Sequence, residues 1–65
     1  MDVETNPIRV VLADDHAVVR AGIRMFLESV PDIEVVAEAD SGEMARALIE
    51  QHQPDVAVLD IQMPK

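Results

Sequence analysis

The stretch Ile8–His16 reads Ile-Arg-Val-Val-Leu-Ala-Asp-Asp-His, and it constrains the fold more than any other part of the chain. Five of its first six residues are apolar, several are β-branched, and no Gly or Pro interrupts them. A run of this kind reads as a buried strand. A strand apolar at nearly every position expects cover on both faces, as parallel strands in α/β proteins have. Two adjacent carboxylates, Asp14 and Asp15, stand where the strand should end. Ligands of open α/β sheets bind just beyond the carboxyl ends of the strands. The location of the chemistry is therefore legible before its nature is.

The rest of the chain supplies partners for this strand. Val19, Ile23, Phe26, Leu27 and Val30 form one stripe of an amphipathic helix. Arg20, Arg24 and Glu28 follow at four-residue spacing as a solvated face, with Arg24 and Glu28 available as a pair. Gly22 inside the helix suggests close packing against a neighbour, and Pro31 ends the helix. Ile33 to Ala39 alternates, with Ile33, Val35 and Ala37 on one side and Glu34, Val36 and Glu38 on the other. That pattern predicts an edge strand whose glutamates discourage further pairing.

Ser41 is a candidate N-cap and Glu43 suits the first turn of a second helix. Met44 or Ala45, Leu48, Ile49 and His52 line its apolar side, and Gln53-Pro54-Asp55 stops it. Val56-Ala57-Val58-Leu59 is a second apolar run and ends in Asp60. The order is β-α-β-α-β. Right-handed crossovers and a central first strand give a parallel sheet of order 2-1-3, with the switch point between strands one and three. Residues 1–7 read as a disordered leader before a domain spanning residues 8–65.

Length and charge narrow the function. A chain of 65 residues makes one small domain, and a domain of that size buries only about 60% of its unfolded surface. There is no cysteine, which excludes disulfides and thiolate metal sites and fits a reducing cytoplasm. Thirteen acidic residues against five basic give a net charge of −8, the wrong sign for direct nucleic-acid binding. No apolar run is long enough to span a membrane, and the acidic N-terminus is no signal peptide.

Asp14, Asp15 and Asp60 end two neighbouring strands, which lie about 4.8 Å apart in a sheet. Crowded carboxylates resist ionisation unless a cation offsets them. Mg²⁺, which prefers carboxylate and carbonyl oxygens, suits such a site. Turn-forming aspartates are the structural alternative. His16 reads as packing at the helix start and His52 as a cation at a helix end. Met25 and Met44 read as core or edge packing. Asp-Asp in place of Asp-x-Asp argues against a phosphatase of the haloacid dehalogenase type, and the chain has no P-loop.

The segments VVLADDH, EADSGEMARALIEQHQPDVAVLD and DIQMP, in this order and spacing, resemble the receiver domain of two-component response regulators, a flavodoxin-like fold. The helix AVVRAGIRMFLE and the run PDIEVVAEADSGE are most similar to the NarL/FixJ (LuxR-type) subfamily of transcriptional regulators. The resemblance covers Ile8 to Lys65. It implies that Asp60 is the phosphoacceptor, that Asp15 ligates Mg²⁺ directly and Asp14 through water, and that the backbone carbonyl of Gln62 completes the metal site. It implies a sensor histidine kinase as partner and a DNA-binding output lying outside this chain, with no enzymatic activity of the chain's own.

Lys65 departs from the Gly that many members carry after Met-Pro. The chain also ends five residues past Asp60, before the family's phosphate-binding Ser/Thr and Lys. A second reading is therefore a half-domain, incompetent in phosphotransfer, that self-associates or pairs with a partner through the apolar Val56–Leu59 strand, and Val58→Lys would weaken that association.

Overall fold

The computed structural model describes residues 6–60. Five elements follow one another: β1 (Ile8–Asp14), α1 (Ala17–Glu28), β2 (Ile33–Ala39), α2 (Gly42–His52) and β3 (Val56–Asp60). The three strands are parallel in the order β2-β1-β3. This is the α/β architecture expected from the sequence, a truncated flavodoxin-like fold. Val10, Val11, Leu12 and Ala13 are buried, because β1 has a strand on each edge and helical cover on its faces.

The small side chains set how closely α2 approaches the sheet. Ala13 of β1, Ala39 of β2 and Ala45 of α2 form one buried cluster with Leu48 against it. Ala45, not Met44, is therefore the inward residue of the first turn, and Met44 is exposed. The Ser41 hydroxyl accepts a hydrogen bond from the Met44 N–H at 3.2 Å, as an N-cap does. Gln53 ends α2 in the left-handed region (φ 49°), its N–H donating to the Ile49 carbonyl at 2.8 Å.

Arg9 fastens this end of α2 to the sheet. Its Nη1 donates to the His52 carbonyl at 2.7 Å, where a cation complements the helix dipole. Its backbone N–H donates to Asp55 Oδ2, and the Asp55 N–H donates to the Arg9 carbonyl, both at 2.8 Å.

Strict alternation along β2 does not hold. Val10 pairs with Val35, but Val11 pairs with Ala37, so Val36 is an extra residue at a register shift. Ala37 and Ala39 then share the face of Val11 and Ala13, opposite to that of Ile33 and Val35. The same shift pairs Glu38 with Leu12, on the face that α1 crosses. Glu38 accepts hydrogen bonds there from Arg20 Nε and Arg24 Nη1, each at 3.2 Å. The expected Arg24–Glu28 pair and the fully solvated arginine face give way to this contact between α1 and β2, in which both arginines are partly buried.

The apolar stripe of α1 is only partly covered. Ile23 and Leu27 are half-buried, whereas Val19 and Phe26 are exposed, Phe26 to 70%. Among the described residues α1 packs on β1 and β2 alone, and no second helix lies against its flanks. Met25 is exposed for the same reason, against the expectation of core or edge packing. Gly22 has open space where a Cβ would project, so close packing does not explain it.

Candidate functional site

The end of β1 turns sharply into α1, and this turn holds two of the expected site residues. Asp14 is the last residue of the strand and is fully buried. Its Oδ1 accepts the His16 backbone N–H at 2.7 Å, the local bond by which an aspartate closes a turn two residues on. Among the described residues its Oδ2 is buried without a hydrogen-bond partner. Leaving such an oxygen unmatched costs about 1–3 kcal/mol, and more when it is charged.

Asp15 is the next residue and is exposed. Its Oδ1 lies 2.9 Å from His16 Nδ1, which also lies 3.4 Å from Asp14 Oδ1. One ligand atom from each of Asp14, Asp15 and His16 lies within 4.8 Å of the others. His16 does not pack at the helix start as the sequence suggested. It occupies the N-cap position without a side-chain capping bond, and its side chain is 61% exposed beside the carboxylates.

Asp60 reaches this end of the sheet through β3, although the ligand atoms that cluster within 4.8 Å are those of Asp14, Asp15 and His16 and not of Asp60. The parallel register sets Asp14 opposite Asp60 at the end of the β1–β3 ladder. Two carboxylates thus end adjacent strands, as the strand order required, with Asp14 buried and Asp60 exposed. Gln62 lies outside the described residues. The donor set at this mouth is dominated by carboxylate oxygen, one of them buried and unmatched, and such a set suits a hard divalent cation.

Sequence reasoning passed over Arg20. Its Nη1 donates to the Asp14 backbone carbonyl at 2.7 Å, and its own backbone N–H donates to the His16 carbonyl at 2.8 Å. The available signal was its place one turn into α1, since helical side chains slant back toward the N-terminus. Four-residue spacing with Arg24 had suggested only a solvated stripe.

The model of the response regulator receiver domain matches residues 10–65. The chain belongs to that family. Its relatives place this receiver domain with the NarL/FixJ regulators. It is 44% identical over 63 residues to the transcriptional regulatory protein DegU of Brevibacillus brevis, covering 97% of this chain and 27% of that protein. It is 49% identical over 57 residues to the oxygen regulatory protein NreC of Staphylococcus carnosus, covering 88% of this chain and 26% of the relative. The solved signal receiver domain of the response regulator NarL from Mycobacterium tuberculosis superposes with a TM-score of 0.86 at 46% identity, over 91% of this chain and 48% of that one. The receiver chain thus spans about a quarter of these curated relatives and about half of the solved domain. Among the described residues no helix is long and apolar enough to cross a membrane.

Proposed function

We propose that this chain is the phosphoacceptor part of a cytoplasmic response regulator, with Asp60 receiving a phosphoryl group from a sensor histidine kinase. The observation that carries the reading is the buried, unmatched Oδ2 of Asp14 opposite Asp60 in the sheet register. Asp15 and the Gln62 backbone carbonyl join Asp14 and Asp60 as the residues that would hold Mg²⁺. When bound, the ion neutralises carboxylate and phosphoryl charge in a transfer governed by position and electrostatics.

The chain's own part is to present one oxygen. An Asp60 carboxylate oxygen attacks the phosphorus of phosphohistidine. The phosphorus–nitrogen bond breaks, and the departing imidazole keeps the electron pair and picks up a proton. Asp60 is exposed at the strand end, which gives a donor protein access. Asp14 stays buried behind it, held by the His16 N–H. The chain is in this reading the acceptor of a transfer and not an enzyme. A DNA-binding output belongs to the longer proteins that the chain resembles.

The test is incubation with acetyl phosphate and Mg²⁺ followed by intact-mass measurement. The expected result is one added phosphoryl group, lost in Asp60→Asn. An unchanged mass in the unsubstituted chain overturns the reading.

One observation favours a second reading, association without phosphotransfer. Along β3, Val56, Ala57 and Leu59 are exposed, and the strand has a partner on one side only among the described residues. An unpaired apolar edge recruits further strands.

A further inference from the structure

We propose that Arg20 is a positioning residue for the acidic pair, holding the Asp14–Asp15 peptide in the orientation that aims both carboxylates at a divalent cation. The proposal rests on the acidic-site reading above and names a residue for which the sequence suggested only a solvated role. Arg20 touches both ends of the turn. Its Nη1 donates to the Asp14 carbonyl at 2.7 Å, and its backbone N–H donates to the His16 carbonyl at 2.8 Å. Its Nε is tied in turn to Glu38 Oε1 of β2 at 3.2 Å. The Arg20 side chain is only 22% exposed, and its two hydrogen bonds hold the guanidinium in place.

The consequence follows from covalent geometry. The Asp14 carbonyl and the Asp15 N–H belong to one planar peptide. Fixing that carbonyl fixes the direction in which Asp15 leaves the strand. The Asp14 side chain is held separately, by the His16 N–H at 2.7 Å. Arg20 therefore adds a side-chain hold on the Asp14 carbonyl at the point where the β1–β3 ladder, with Asp14 opposite Asp60, comes to its end. Arginine suits the task because its planar fork serves the carbonyl and the Glu38 carboxylate together, which a lysine ammonium does less well.

The sign of the effect separates positioning from simple electrostatics. Removing a cation near an acidic site strengthens binding of another cation by Coulomb's law. Removing a positioning residue weakens it. The experiment is a Mg²⁺ titration of the whole chain followed by amide resonances, with far-UV circular dichroism in urea as the stability control. In Arg20→Gln the Mg²⁺ affinity falls about tenfold, the low end of losses on deleting groups that orient metal ligands. The Asp14 carbonyl carbon and Asp15 amide shift even before Mg²⁺ is added. Arg20→Lys keeps the charge and binds more weakly than the unsubstituted chain but more tightly than Arg20→Gln. Arg24→Gln removes the neighbouring bond to Glu38, which reaches Asp14 only by way of Arg20, and leaves Mg²⁺ affinity within about twofold.

Affinity in Arg20→Gln or Arg20→Lys equal to or tighter than that of the unsubstituted chain overturns the proposal. So does an Arg24→Gln loss as large as that of Arg20→Gln, which would make the role one of general stability. Failure of the unsubstituted chain to bind Mg²⁺ overturns the acidic-site reading itself, together with the role of Arg20.

Discussion

Among the described residues Asp14 is the one fully buried charged side chain, and it carries a local conflict. A fully buried carboxylate with one oxygen unmatched opposes folding, and a bound cation would reverse that opposition. Asp14→Asn removes the charge while leaving an oxygen to accept the His16 N–H. Without Mg²⁺ this variant should be more stable than the unsubstituted chain by about 1 kcal/mol, because a neutral amide costs less to bury than a carboxylate. The same substitution should abolish any rise of Tm on adding Mg²⁺. Thermal unfolding by circular dichroism, with and without Mg²⁺, checks both halves. A variant less stable than the original without the ion would mean that the Asp14 charge is already well compensated.

Among the elements, α1 departs furthest from its sequence reading. Its arginines reach β2 instead of water, and its central glycine faces open space. The helix thus bears the backbone entropy of Gly22 with no packing gain at that position. Gly22→Ala should stabilise the chain by about 0.5–1 kcal/mol, the usual difference between these residues inside a helix. Urea unfolding monitored at 222 nm measures it, since the chain has no Trp or Tyr. A loss of stability would show that another surface packs on this glycine in solution. The β2 register shift acts at the same scale. By adding Val36 it turns Glu38 toward α1, and so makes the brace through Arg20 possible.

For the whole molecule, β3 is an edge strand with no strand beyond it among the described residues. β1 is sealed between two strands, while β3 leaves Leu59 58% exposed. If copies pair through β3, a charge there should dissociate them. Leu59→Lys tests this better than Val58→Lys, because Val58 is half-buried and its loss would disturb the fold as well. Light scattering should report a larger species for the unsubstituted chain and a monomer for Leu59→Lys. A monomer in both removes the association reading and leaves phosphotransfer alone in the field.

The sequence by itself determined the element order, the 2-1-3 sheet and the meeting of Asp14 with Asp60 at one end of it. These follow from hydrophobic periodicity and from the handedness of crossovers, which are local or nearly universal rules. The Ser41 cap was equally legible, because a cap is set by residues three apart in the chain. Tertiary structure alone decided the β2 register shift, the capture of Glu38 by Arg20 and Arg24, the Arg9 clamp on α2 and the exposure of His16 and Phe26. Each of these depends on which residue of a distant element arrives opposite, and a shift of one position moves a side chain to the other face of the sheet. Arg20 shows the difference within a single residue. Its spacing along the helix predicted solvent, and only the placement of β1 and β2 beneath it supplied the Asp14 carbonyl and the Glu38 carboxylate that it binds.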